Sequence, residues 1–224
     1  MAIISHKNRF IYLLNPRTAS TATAKAILQA TDSTWIPEKN ILDENGKILV
    51  PSKHTTLRHL LDHRLMTKEA LSTYFKFVTV RNPFDSIVSS WAKKVKDYAH
   101  LLDDPDSWVN KKPGYADSLR RAAGLTFSEW VRQEYGEAAR RNGKASINTP
   151  FMSGTDYQLR YENLQDGLLK IHDRIGVGPD FTVPVLNVTK GRKHQDYRTY
   201  YDDQAVEIIS TIFRDELNQL NYSF

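Results

Sequence analysis

Apolar residues along the chain come in two alternating rhythms: short unbroken runs, and stretches that recur every three or four positions. The run RFIYLLN (9–15) predicts a buried strand, ended by the turn signal Asn15-Pro16. From Ser20 the pattern becomes helical, with Ala24, Ile27 and Leu28 on one face. GKILVPSKH (46–54) predicts a second, weaker strand, and TTLRHLLDHRL (55–65) a helix. YFKFVTVRN (74–82) is nearly continuous in aromatic and β-branched residues, as a central parallel strand should be. Pro83 sits where a first helical turn tolerates it, and FDSIVSSWAKKVKDY (84–98) continues as a helix.

Residues 99–125 are polar and broken by Pro and Gly, which predicts a loop or lid with one short helix. Thr126 and Glu129 form a capping box that opens a helix over TFSEWVRQEYGEAARR. DYQLRYENL (156–164) predicts a fourth strand running into a helix that stops at Gly176. The segment from Val177 to Tyr201 is irregular and too long for a mere connector. Val206, Ile209, Ile212, Phe213 and Leu217 mark a closing amphipathic helix. Strands alternating with helices imply an α/β fold of three layers (α/β/α) around a central parallel sheet, with residues 1–224 as a single domain. Ligands of such sheets bind beyond the carboxyl ends of the strands.

Two strand-to-helix turns carry the chemistry. Residues 16–23, PRTASTAT, would set backbone N–H groups around a helix N-terminus, with Arg17 adding a planar cationic fork. The plain alternative is a capped turn, where Ser and Thr are common in any case. No G-x-x-x-x-G-K-[ST] is present, which argues against an ordinary nucleoside-triphosphate site. Arg81 ends the best strand, and Ser89 lies two helical turns further on. Arg81 alone would be read as a surface residue. Together they suit a ligand with phosphates at two ends.

Composition narrows the classes further. The chain has 224 residues, a formal net charge of +5 and no cysteine, so disulfide and thiol chemistry are excluded and an anionic partner is weakly favoured. No apolar stretch reaches the ~20 residues that span a bilayer. His6, Lys7 and Arg9 interrupt the apolar start of MAIISHKNRF, which speaks against a signal peptide. A cytoplasmic protein with no membrane span is the expectation.

NPRTASTAT resembles the 5′-phosphosulfate loop of sulfotransferases that use 3′-phosphoadenosine 5′-phosphosulfate (PAPS), whose usual form is Pro-Lys-[Ser/Thr]-x-[Gly/Ser]-Thr-[Ser/Thr]. Its TAST core is similar to the carbohydrate-type branch, such as heparan sulfate 2-O-sulfotransferases. VRNPFDSIVSSW resembles the family's 3′-phosphate motif, LRYENL its later strand and turn, and the tail from LNVTKGRKHQDYRTYY to NYSF the branch's closing segment. The resemblance implies a P-loop-NTPase-like fold with PAPS as co-substrate and no metal. It assigns Arg17, Thr18, Ala19, Ser20, Thr21 and Ala22 to the sulfonated end of the donor. Arg81 and Ser89 take the 3′-phosphate, with Arg192 or Lys193 closing over it. Two positions depart from the pattern. Arg17 stands for the family lysine, which keeps the charge but not the compact donor, and Ala22 stands where a hydroxyl is usual.

Sulfuryl transfer to an alcohol needs a base, and histidine is suited to that near neutral pH. His54 falls at a strand-to-helix junction in VPSKHTTL, and SKHTTLRHL resembles the family segment whose histidine is the base. Its plain reading is a helix cap. Lys53 is a second candidate, for stabilising the transferring group. His59 and His63 have a zinc-compatible spacing, but a solvated helix face accounts for them without further ligands. Trp91, Trp108, Trp130 and Tyr115 are candidates for an acceptor cleft, although helical spacing makes Trp91 and Trp130 core residues. Lys111, Lys112, Arg120 and Arg121 in the 93–124 segment would suit an acidic glycan, or equally a solvated loop. The acceptor is expected to be a hydroxyl-bearing small molecule or glycan. The rival readings are a nucleotide or small-molecule kinase, and a nucleic-acid binder using the basic, Tyr-rich KGRKHQDYRTYY.

Overall fold

The computed structural model describes residues 2–184 and 196–224. The strands are β1 (Ala2–Ser5), β2 (Phe10–Leu13), β3 (Thr34–Ile36), β4 (Ile41–Leu42), β5 (Ile48–Val50), β6 (Phe75–Val80) and β7 (Tyr157–Arg160). Helices punctuate them throughout. The first six are α1 (Ser20–Ala30), α2 (Leu57–Asp62), α3 (Lys68–Ser72), α4 (Pro83–Ala92), α5 (Trp108–Lys111) and α6 (Tyr115–Ala123). α7 (Phe127–Arg140), α8 (Thr149–Met152), α9 (Leu164–Leu169), α10 (His172–Ile175), α11 (Asp203–Ile212) and α12 (Arg214–Leu220) follow. The chain forms two compact units, residues 1–81 with 148–187, and 82–147 with 188–224.

The first unit is the mixed α/β part: a five-stranded sheet in the order β3-β1-β2-β6-β7, flanked by helices. β2, β6 and β7 run parallel, and the near-continuous apolar character of β2 and β6 matches their central place in the sheet. β1 is the departure from an all-parallel sheet, pairing antiparallel with both β2 and β3. Its four residues are completely buried but too few to show a period in the sequence. Phe10, Tyr12, Phe77 and Leu159 on one sheet face pack with Ala24 and Ile27 of α1 and with Leu168 and Ile175 of α9 and α10. Burying such side chains contributes roughly 1.5–3 kcal/mol apiece, before the entropy of ordering them. Lys76 is buried within β6 and ion-pairs with Asp156 at 2.9 Å, as a buried cation must.

β5 does not extend the main sheet. It folds back on β4 as a separate two-stranded hairpin, because Asp43 Oδ1 accepts from the amides of Asn45 and Lys47 and Gly46 takes φ 77°. His54 therefore lies between a strand and a helix, β5 and α2, but that strand is a hairpin arm and not part of the five-stranded sheet.

The second unit is helical. Phe84, Val88, Phe127, Trp130, Val131, Ile209, Ile212 and Phe213 form its core. Thr126 and Glu129 make the predicted capping box at the start of α7. The 99–125 segment holds two α-helices rather than one. The closing helix is broken at Phe213, which leaves helical geometry while staying buried, so that α11 and α12 both turn apolar residues inward.

Candidate functional site

The loop between β2 and α1 is built on the carbonyl of Asn15. Thr18 Oγ1 donates to it at 2.8 Å and Ser20 Oγ at 2.7 Å, so these hydroxyl protons close the turn on itself. Arg17 (φ 65°) and Ala19 (φ 56°) both adopt the left-handed conformation that residues with a Cβ avoid. Strain of this kind persists only where the surroundings hold it. The helix that follows has eleven residues, and no side chain caps its N-terminus. The amides of Ser20, Thr21 and Ala22 therefore have no acceptor within the helix. Thr21 is exposed and Arg17 half-buried, whereas Thr18, Ser20 and Ala22 are buried.

His54 joins this loop from the hairpin side. Its Nδ1 lies 2.8 Å from the Leu14 carbonyl, and a carbonyl can only accept, so Nδ1 carries the proton. Nε2 is then the basic nitrogen of the neutral ring. The Phe151 ring meets the imidazole edge-on at 6.2 Å between centroids, and the backbone at His54 is itself left-handed (φ 63°). Burial holds the His54 pKa below the ordinary 6.5; the bond to Leu14 offsets this in part, and the Lys53 charge pushes the same way as burial. Lys53 itself is exposed.

Arg81, the last residue of this unit's first segment, is 5% exposed. Its Nη1 donates to the Arg17 carbonyl at 2.7 Å, and its guanidinium lies 4.0 Å from the centre of the Tyr161 ring. The structure thus brings together Arg17, Thr18, Ala19, Ser20, His54 and Arg81. Ser89 is buried on α4 in the second unit, and Arg192 and Lys193 lie outside the described residues.

Three residues that sequence reasoning left out support this cluster. Asn15 and Asn148 are completely buried and hydrogen-bonded to each other, and Tyr161 carries the Arg81 stack. Tyr161 lay in view within LRYENL. Asn148 gave no signal, because an Asn before Thr-Pro reads as a helix cap.

Other candidates settle into structural roles. His59 Nδ1 accepts from the amide of Thr56 and caps α2. Trp130 is 1% exposed in the helical core, and Trp91 packs against that core. Trp108 is 44% exposed, its ring 4.9 Å from that of Tyr115, and Lys112 Nζ lies 5.0 Å from the Tyr115 centroid. Among the described residues no group of three or more His, Asp or Glu is placed to hold a metal ion, and no helix is long and apolar enough to cross a membrane.

A strained, arginine-braced turn leading into an uncapped helix is suited to an oxyanion. Favourable interaction with a helix end contributes ~0.3–1 kcal/mol, up to ~2 when partly buried. No curated protein and no solved structure matches the chain. The model of the family described as "Sulfotransferase family" matches residues 1–223, across both units, and this chain, an enzyme of sulfuryl transfer, belongs to that family.

Proposed function

We propose that the chain moves the sulfuryl group of PAPS to a hydroxyl of its acceptor, with His54 as general base and a carbohydrate as the leading acceptor class. The observation that carries this reading is the bond from His54 Nδ1–H to the Leu14 carbonyl, at the foot of the loop whose helix begins uncapped. It fixes the tautomer a base requires, beside a turn suited to an anion, within one compact unit.

The donor has an anionic sulfonated end, and the loop fits it through the amides at the start of α1, the Thr21 hydroxyl and Arg17. The family lysine would act there as a point charge. Arg17 offers a broader fork, which favours holding the donor over following charge onto the leaving phosphate. Arg81 braces the loop through the Arg17 carbonyl, and the resemblance also gives it the 3′-phosphate. Both roles require a guanidinium held in place, and the Tyr161 stack supplies that. Ser89, Arg192 and Lys193 are retained as donor-binding residues on the resemblance alone, and Lys53 as a stabiliser of the transferring group. In the reaction His54 Nε2 would accept the acceptor's hydroxyl proton as its oxygen attacks sulfur in line with the departing phosphate oxygen.

For the acceptor, the half-exposed Trp108 and its neighbours Tyr115 and Lys112 offer ring faces beside a cation, a pairing that suits a sugar with acidic substituents. Adenosine 3′,5′-bisphosphate should raise the melting temperature without magnesium, while ATP with magnesium, or an oligonucleotide, should leave it unchanged. Stabilisation by ATP–Mg²⁺ alone would favour a kinase instead.

A further inference from the structure

We infer that Asn148 is a positioning residue for the donor loop: it ties the exit of β2 to the exit of β6, the two points from which the loop and Arg81 start. The inference rests on the donor reading above. Asn148 occupies the N-cap position of α8, where an asparagine side chain ordinarily accepts from a first-turn amide, yet it caps nothing. It is completely buried. Its Oδ1 accepts from Arg81 N at 3.1 Å and from Asn15 Nδ2 at 2.8 Å, and its Nδ2 donates to the Arg81 carbonyl at 3.0 Å.

Complementarity fixes this amide in one orientation. The N–H of Arg81 needs an oxygen and its carbonyl needs an N–H, so Asn148 cannot be flipped without opposing like groups. Asn15 must then turn its own amino group toward Asn148, and the same group donates to the Thr79 carbonyl at 3.1 Å. Asn15 Oδ1 is left buried without a partner. That cost is retained because flipping Asn15 would face its oxygen with two acceptors.

The consequence is geometric. The paired register of β6 with β7 reaches Val80, and at the next residue the Asn148 side chain meets both backbone groups, as a further strand would. Arg81 in turn holds the Arg17 carbonyl, and Asn15 holds Thr18 and Ser20. One buried side chain therefore stands behind both the strained turn and its arginine brace.

The test is calorimetric titration of adenosine 3′,5′-bisphosphate into wild type, Asn148→Ala and Asn148→Asp, each well below its melting temperature. Asn148→Ala removes the three side-chain hydrogen bonds to Arg81 and Asn15 and is expected to weaken affinity roughly 10- to 100-fold, in line with small misplacements at a binding site. Asn148→Asp keeps an acceptor for both Arg81 N and Asn15, and should retain affinity between wild type and Asn148→Ala. A residue that served only the fold would lower the melting temperature and leave affinity at the wild-type value, and that result overturns the inference. Should Asn148→Ala not fold, wild-type affinity in Asn148→Asp overturns it equally. Absence of binding by the wild type would instead remove the donor reading, and this inference with it.

Discussion

Two strands of this protein hand over to a helix through a turn carrying a proline and an arginine, and the two handovers are finished in opposite ways. After β2, the chain passes through left-handed Arg17 and Ala19, and α1 starts with no side-chain cap. After β6, Asn82 caps α4 by accepting from Phe84 N at 3.0 Å, Pro83 removes one donor, and Asp85 places a carboxylate in the first turn. Helix ends that look alike in the sequence thus differ in what they offer an anion: the first has no side-chain cap, whereas the second is capped by Asn82 and carries its own carboxylate. Arg81, where the second handover begins, reaches the first turn by donating to the Arg17 carbonyl at 2.7 Å.

If that contrast locates the chemistry, the largest effect belongs to His54. Replacing it by alanine should lower turnover by ~10²–10⁴-fold, the usual contribution of a positioned base. Affinity for adenosine 3′,5′-bisphosphate should change by less than about twofold, because the donor loop retains Asn15, Arg17 and Arg81. Loss of both together would mean that His54 holds the loop and is not the base. The pH profile gives a second reading. Only neutral His54 accepts a proton, and its pKa is depressed chiefly by burial, so activity should fall on the acid side at a midpoint below 6.5. Lys53→Glu should move that limb upward, since it replaces a charge that opposes protonation with one that favours it.

Arg81→Ala comes next. It removes both the brace on the Arg17 carbonyl and the Tyr161 stack, and should weaken adenosine 3′,5′-bisphosphate binding roughly 10- to 100-fold, equivalent to ~1.4–2.8 kcal/mol. Titration that returned wild-type affinity would take Arg81 out of the site and dissolve the contrast between the two turns.

Much of this was legible in residue order. The strand at 9–15, the strand at 74–82 and the capping box at Thr126 each carry a local signal that tertiary packing reinforces. β1 and β3 were not legible, because runs of four and three residues are too short to show a period. The hairpin of β4 and β5 is encoded in Asn45-Gly46, but the strand predicted over 46–54 covers β5 alone and leaves β4 out. Within the candidate site, Arg17, Arg81 and His54 stand out in the sequence by chemistry and place. The polar bonds that hold them did not: the Thr18 and Ser20 hydroxyls turn inward to Asn15, and Asn148 contributes from a point far along the chain. Such pairings depend on which strands become neighbours.

Asn82→Ala sharpens the comparison from the other turn. The cap on Phe84 N is worth ~0.5–2 kcal/mol, and the Asn82 amino group also donates to the Ser223 carbonyl at 2.9 Å. Chemical denaturation should therefore show a loss of ~1–2 kcal/mol, with the affinity for adenosine 3′,5′-bisphosphate unchanged. A parallel fall in affinity would make α4 part of the donor grip, and the two helix ends would no longer be opposites.

The smallest effect tests the strain itself. An alanine held at φ 56° carries a steric penalty of ~1–2 kcal/mol that glycine does not, while glycine adds ~0.5–1 kcal/mol of unfolded-state entropy. Ala19→Gly should therefore leave stability within ~1 kcal/mol of wild type, on the favourable side. Ala22→Gly, three residues on and inside the same helix, meets no such relief and should cost ~1 kcal/mol. Paired urea melts read the sign directly. If both glycines destabilise alike, Ala19 is an ordinary helical residue. The turn after β2 would then be no more strained than the one after β6, and the missing side-chain cap on α1 would lose its structural cause.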